Sequence, residues 1–134
     1  MPVGIVIISH SQRLAEGVAE LAGQMTRGEV KILAAGGTDS GELGTSLEKV
    51  QRALAEADSG EGILILMDLG SASMVATMAL EQLPEEQRAR VRLSDAPLVE
   101  GAVVAAVEAS IGSTLDQVAS TAKEATTMDK GINA

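Results

Sequence analysis

The sequence contains no cysteine and no aromatic residue, and it has a single histidine. Without cysteine there is neither a disulfide nor a thiolate nucleophile, and one histidine is too few for a common zinc site built by one chain. Without Phe, Tyr or Trp, the protein cannot stack an aromatic ring on a base or a sugar. We therefore expect no metal and no cofactor.

Positive charge is also scarce, because 10 Lys and Arg residues stand against 19 Asp and Glu residues, for a net charge of −9. Nucleic-acid binding needs clustered basic residues, and those in this sequence are scattered. No apolar run is long enough to span a bilayer, and the N-terminus lacks the pattern of a signal peptide. We predict a cytoplasmic protein that binds neither nucleic acid nor a membrane.

What the sequence does contain is an alternation of short apolar strands and amphipathic helices. Strands are predicted at residues 4–8, 30–34, 62–67 and 90–93, the last being weak and expected near a sheet edge. This alternation predicts an α/β fold, in which a doubly wound, mainly parallel sheet of four or five strands has helices on both faces. We expect one domain over residues 1–128 and a loose C-terminal tail over residues 129–134.

The helices are predicted from apolar residues spaced three or four positions apart. The expected inward positions are Leu14, Val18, Leu21 and Met25 in the first helix and Met74 and Met78 in the third. Capping boxes are expected at Ser9 with Gln12 and at Thr45 with Glu48. The stretch over residues 98–111 is apolar on more than one face. Since Val99, Val103, Val107 and Ile111 exceed what one side of a four-stranded sheet can cover, we predict a homodimer.

The strand order decides where a functional site lies. In a flavodoxin-like order 2-1-3-4, the carboxyl ends of strands 1 and 3 meet where the order reverses, and ligands bind at such a point. His10 follows strand 1 and Asp68 follows strand 3, so the fold brings together two side chains that are 58 positions apart. An imidazole beside a helix N-terminus is well placed for phosphate chemistry. The alternative is that His10 and Asp68 only cap a helix or close a turn.

Several blocks of the sequence match one family in order along almost the whole chain. They are Gly4–Ser11, Leu14–Gly17, Ala35–Asp39, Gly44–Ser46, Met67–Ala72 and Ala96–Ala102. Together they resemble the DhaM family, the phosphotransfer subunits of PTS-dependent dihydroxyacetone kinases, which are similar in fold to mannose-type enzyme IIA. The resemblance implies that His10 takes a phosphoryl group from phospho-HPr and passes it to ADP bound on DhaL. DhaL in turn phosphorylates dihydroxyacetone held by DhaK.

The resemblance also implies roles for individual residues. Asp68 would hold Nδ1 of His10 and leave Nε2 as the nucleophile. Backbone amides and hydroxyls of the remaining site residues would bind the transferred phosphoryl oxygens, and these residues are Ser11, Gly37, Thr38 and Ser71. Two alternatives stay open at this point. One is an enzyme IIA of a mannose-type sugar transporter, and the other is a non-catalytic module that phosphorylation regulates.

Overall fold

A computed structural model describes residues 1–132 and shows four strands and six α-helices within them. The strands are β1 (Gly4–Ser9), β2 (Ile32–Gly36), β3 (Ile63–Met67) and β4 (Val91–Ser94). The helices are α1 (Gln12–Gln24), α2 (Leu47–Ala57), α3 (Ala72–Glu81), α4 (Glu85–Arg88), α5 (Leu98–Ser110) and α6 (Leu115–Glu124), and a 3₁₀ turn follows at Ala125–Thr127.

The strands form one parallel sheet in the order β2-β1-β3-β4, which confirms the predicted topology and the edge position of β4. Every residue of β1 is buried, because β1 has a strand on each side and helices on both faces. Side chains alternate along a strand, so Ile5 and Ile7 enter one core layer while Val6 and Ile8 enter the other. Helices α1, α5 and α6 cover the first face, and α2 and α3 cover the second.

The helix faces differ from the prediction. In α1 the buried residues are Ala15, Val18 and Ala22, whereas Leu14, Leu21 and Met25 are exposed. In α3 the buried residues are Ala72, Val75, Ala76 and Ala79, whereas Met74 and Met78 are exposed. The isoleucines and leucines of the sheet already fill most of the core, so a stripe of small alanines lets each helix lie close to it. The predicted inward position of Val18 is therefore confirmed, whereas the inward positions predicted for the other residues, Leu14, Leu21, Met25, Met74 and Met78, are wrong.

The predicted capping boxes are also displaced. Ser11 is the N-cap of α1, where its Oγ accepts a hydrogen bond from the Leu14 amide at 3.2 Å. Ser9 is still part of β1 and does not cap the helix. Ser46, one residue after the predicted Thr45, caps α2 by accepting from the Lys49 amide at 3.2 Å. β1 and the loop before α2 each extend further than predicted. Because Ser9 ends β1 and does not cap α1, its hydroxyl is available for another role.

The predicted tail lies partly outside the described residues, which end at residue 132. Within its described part, Lys130 Nζ lies 2.6 Å from the Glu100 carboxylate of α5, so the segment contacts the domain. None of the helices found in residues 1–132 has both the length and the apolar character needed to cross a bilayer.

Candidate functional site

The site begins with the register of two neighbouring strands. Ile8 of β1 pairs with Met67 of β3, so both strands end at the same edge of the sheet. The Asp68 amide donates to the Ile8 carbonyl at 3.2 Å, and the His10 amide donates to Asp68 Oδ2 at 2.9 Å. A backbone hydrogen bond to Ile8 and a bond from the His10 amide to the carboxylate therefore fix Asp68 beside His10, and the expected proximity of these two side chains is observed.

Asp68 accepts hydrogen bonds from four donors. Oδ2 accepts from the His10 amide and from Ser9 Oγ, each at 2.9 Å. Oδ1 accepts from the Leu69 amide at 2.7 Å and lies 3.0 Å from His10 Nδ1. Burial raises the pKa of the Asp68 carboxyl, but the hydrogen bonds from His10, Ser9 and Leu69 outweigh burial and hold this pKa below its ordinary value. Asp68 is thus a carboxylate, which can only accept hydrogen bonds.

The protonation pattern of the His10 ring follows from its two neighbours. Since the Asp68 carboxylate can only accept, Nδ1 carries the hydrogen and donates it to Oδ1. Nε2 then keeps its lone pair and accepts from the Ser71 hydroxyl, whose Oγ lies 3.0 Å away. The His10 side chain is 28% exposed. Nε2 therefore faces outwards with its nucleophilic lone pair, while Nδ1 donates its hydrogen to the Asp68 carboxylate.

Ser9 is a member of the site that the sequence reasoning did not find. Its side chain is completely buried, and its hydroxyl donates to Asp68 Oδ2 while accepting from the Ser11 amide at 3.0 Å. Ser9 therefore ties the carboxylate to the first turn of α1. A signal was present in the sequence, because Ser9 continues the alternation of β1 and directly precedes the histidine.

The proposed phosphate ligands fall into two groups. Ser71 contacts Nε2, and Ser11 lies in the turn that follows His10, with a hydroxyl hydrogen still available after its oxygen has capped α1. In contrast, the Gly37 amide donates to the Ser9 carbonyl at 3.1 Å and the Thr38 amide to the Glu42 carbonyl at 2.9 Å.

The Thr38 hydroxyl is also occupied, since it bonds to Ser40 and Glu42 within the glycine-rich loop. The loop folds back on itself, and its Gly44 amide donates to the His10 carbonyl at 2.8 Å. Neither amide is a free donor in this structure, and the binding of phosphoryl oxygens by Gly37 and Thr38 stays a prediction. These residues support the turn that carries His10.

Free donors occur instead at the start of α3. Within residues 1–132, the amides of Gly70 and Ser71 make no hydrogen bond. They lie at the N-terminal end of a ten-residue helix, where the aligned peptide dipoles favour an anion. Because Ser71 Oγ contacts Nε2, these amides belong to the segment nearest the reactive nitrogen.

One glycine is required for this geometry. A Cβ atom on Gly36, the last residue of β2, would lie 2.6 Å from the Ser11 carbonyl oxygen and 2.9 Å from the Gln12 Cα. Only a residue without a side chain lets the end of β2 approach the first turn of α1 so closely. The carboxyl end of β2 is thereby brought against the turn that holds His10.

The arrangement has the parts of a phosphohistidine site: a nucleophilic ring nitrogen, a carboxylate on the other ring nitrogen and free donors beside the point of attack. Residues 4–119 match the EIIA-man family, the PTS system fructose IIA component. The chain belongs to the EIIA-man family. The match includes both His10 and Asp68.

Relatives of this EIIA-man chain carry more specific names. It is 45% identical over 119 residues to the phosphoryl donor subunit DhaM of the PEP-dependent dihydroxyacetone kinase of Escherichia coli, with 87% of this chain covered. It is 40% identical over 109 residues to the DhaM subunit of dihydroxyacetone kinase 2 of Listeria innocua, covering 81% of this chain and 87% of that protein. The resemblance to DhaM is therefore confirmed.

The lengths and the structural comparison add two facts. The EIIA-man chain spans only about a quarter of the Escherichia coli protein, of which 25% is covered. A crystal structure of a protein of unknown function has 37% identity and a TM-score of 0.82, and the match covers 99% of this chain and 100% of that one. A solved structure thus has the same overall architecture along its whole length.

Proposed function

We propose that the protein is the phosphohistidine relay of a dihydroxyacetone kinase. The observation that carries this proposal is the His10 ring, which has its Nδ1 on the Asp68 carboxylate and its Nε2 lone pair directed outwards. The DhaM names of the relatives support the pathway, because they describe phosphoryl donor subunits of such kinases. HPr would be the donor, and ADP bound on DhaL the acceptor. The proposed location is the cytoplasm.

The first step transfers a phosphoryl group from a phosphohistidine of HPr to His10. The Nε2 lone pair attacks phosphorus, the phosphorus–nitrogen bond of the donor breaks, and its electron pair returns to the donor imidazole. The His10 ring, with Nδ1 still protonated, becomes a cation that the Asp68 carboxylate stabilises. The Ser71 hydroxyl must leave Nε2, and it can then donate to a phosphoryl oxygen, as can the Gly70 and Ser71 amides.

The second step reverses the roles. A β-phosphate oxygen of ADP attacks the phosphorus on His10, the bond to Nε2 breaks, and Nε2 regains its lone pair as ATP forms on DhaL. DhaL would then phosphorylate dihydroxyacetone on DhaK. Catalysis in both steps rests on alignment and charge stabilisation, since no proton has to move between His10 and Asp68.

The proposal is tested by following the phosphoryl group. With enzyme I, HPr and phosphoenolpyruvate, the wild type should acquire an acid-labile label, and His10→Ala should acquire none. Adding DhaL with ADP should discharge the label into ATP, whereas a sugar-transporter subunit or a regulatory module would keep it. The donor should be protein phosphohistidine, so radiolabelled ATP with Mg²⁺ alone should leave His10 unmodified. Stoichiometric labelling from ATP alone, or full labelling of His10→Ala, would contradict the relay.

We also propose a homodimer formed through α5. Along this helix Val99 is 39% exposed, Val107 is 44% exposed and Ile111 is 74% exposed, with Val103 half-buried between them. An apolar stripe of this size is commonly covered by a symmetric copy. Light scattering at micromolar concentration should give twice the chain mass for the wild type and for the control Gln87→Glu, which adds the same charge on α4. Val107→Glu should give the monomer mass, and a monomeric wild type would refute the dimer.

A further inference from the structure

Apolar side chains are exposed on α3, and directly before it, next to the reactive nitrogen. Leu69 is 59% exposed, Met74 is 71% exposed and Met78 is 49% exposed, and we refer to these three residues as the α3 patch. Ser71, Met74 and Met78 are spaced at i, i+3 and i+7, so they lie along one face of the helix. The other side of the helix, which carries Ala72, Ala76 and Ala79, packs on the sheet. The patch therefore faces solvent on the same side as Ser71.

The patch is close enough to Nε2 to be covered by any protein that reacts there. Ser71 Oγ lies 3.0 Å from Nε2. With a rise of 1.5 Å per residue, Met74 and Met78 lie about 5 Å and about 10 Å further along the helix axis. A transient protein interface of about 600 to 800 Å² per partner has a radius of about 14 to 16 Å. An interface centred on Nε2 thus includes the whole patch.

The composition of the segment indicates the chemistry of that partner. Residues 69–80 contain no charged side chain, although 22% of the whole sequence is charged. Leu69 also lines an open cavity of about 710 Å³ at the carboxyl ends of β3 and β4, together with Leu93, Pro97 and Leu98. Because the segment is uncharged and carries three exposed apolar side chains, we expect the partner to offer apolar side chains around its own reacting histidine.

We propose that the α3 patch is the docking surface for the phosphohistidine protein that donates to His10. This inference rests on the proposed function and adds the surface on which the donor binds. Methionine side chains are flexible and polarisable, and they adapt to a partner without a rigid fit. Such a surface suits a complex that must form, transfer one group and separate.

A kinetic experiment separates docking from chemistry. The double variant Met74→Gln/Met78→Gln removes the apolar ends of both side chains while keeping their length. With phospho-HPr as donor, we expect the half-saturating donor concentration to rise about tenfold, because exposed contacts near an interface centre carry much of the affinity. With phosphoramidate, a small donor that needs no docking surface, labelling of His10 should proceed at the wild-type rate.

The matched control is Met25→Gln. Met25 is 53% exposed and follows the last residue of α1, about 20 Å along that helix from the turn of His10. The control should leave both donors unaffected. An unchanged half-saturating concentration of phospho-HPr in the double variant would overturn the docking surface while leaving the relay intact. Failure of phospho-HPr to label the wild type, when phosphoramidate does, would overturn the relay and with it the docking surface.

Methyl NMR gives a second readout that does not depend on turnover. The chain has six methionines and no Phe, Tyr or Trp, so the aromatic rings of a bound partner would add ring-current shifts to an otherwise simple methionine methyl spectrum. On adding unphosphorylated HPr to protein labelled with ¹³C at the methionine methyls, we expect the Met74 and Met78 signals to shift or broaden while Met25 stays unchanged. Changes at Met25 with none at Met74 and Met78 would overturn the proposal.

Discussion

Replacing Asp68 by Asn should slow phosphoryl transfer by changing which nitrogen of His10 carries the hydrogen. The carboxylate accepts from four donors, two at each oxygen. An amide keeps one accepting oxygen and turns a donating NH₂ towards the other pair. The amides of His10 and Leu69 cannot reverse, because they are fixed in the backbone, but the imidazole can exchange its hydrogen between Nδ1 and Nε2.

The magnitude follows from this mismatch. If the NH₂ group faces Nδ1, the hydrogen moves to Nε2 and removes the lone pair that attacks phosphorus. Loss of the correct tautomer in a comparable carboxylate–histidine pair slows reaction by about 10⁴-fold, so we expect a reduction of about 10² to 10⁴-fold. One backbone amide also loses its acceptor, which should lower the free energy of unfolding by about 1 to 3 kcal/mol.

Two assays test this prediction. Transfer from phospho-HPr is followed by rapid quenching and counting of acid-labile label. Stability is measured by urea denaturation with far-ultraviolet circular dichroism, since the chain has no tryptophan for fluorescence. The control is Asp58→Asn, which removes a carboxylate that accepts from the Gly60 amide in the turn after α2. A wild-type transfer rate in Asp68→Asn would refute the assigned tautomer of His10. Wild-type stability would refute the claim that all four hydrogen bonds to Asp68 stabilise the fold.

Three further results are expected. Ser9→Ala should lower the free energy of unfolding by about 1 to 3 kcal/mol in urea titrations, because the Ser11 amide loses its acceptor, and should slow transfer less than Asp68→Asn does. Ser71→Ala should reduce the rate of labelling about tenfold with an unchanged circular dichroism spectrum, because its exposed hydroxyl bonds Nε2 but does not cap α3. Because the Asp68 pKa is held below its ordinary 3.8, its stabilising effect is present above that pH and is lost as the pH falls through the lowered value. The stability difference between wild type and Asp68→Asn should therefore shrink in urea titrations below about pH 4, and a constant difference would contradict the lowered pKa.

The positions of His10 and Asp68 could be predicted because they depend on strand order and register, which strong apolar runs specify. Once β1 and β3 are neighbours, the residues that follow them must meet at one edge. The hydrogen bonds of the glycine-rich loop could not be predicted in this way. Gly37 and Thr38 are near the right edge, but the Gly37 amide donates to Ser9 of β1 and the Thr38 amide donates within the loop, and only the folded backbone reveals these bonds.

The helix faces were mispredicted for a different reason. Apolar spacing was taken as the guide to burial, whereas in α1 and α3 the face against the sheet consists mainly of alanines. In α3 this error concealed the exposed Met74 and Met78, which form part of the proposed docking surface. Capping signals shifted by one or two residues because two hydroxyl residues precede each helix, Ser9 and Ser11 before α1 and Thr45 and Ser46 before α2.

The alanine stripes make the core respond unequally to gains and losses of volume. Ala105 and Ala106 of α5 are fully buried, as is Ile7 of the sheet. Shortening Ile7 to Val removes one methylene and should cost about 0.5 to 1.5 kcal/mol. Enlarging Ala105 to Leu must push a whole helix away from the strands, and overpacking of this kind costs about 1 to 3 kcal/mol or more. Substitutions that enlarge the buried alanines of the helices would thus be tolerated less well than substitutions that shorten buried side chains of the sheet. Among folded variants from random mutagenesis, we expect shortened strand residues more often than enlarged helix alanines.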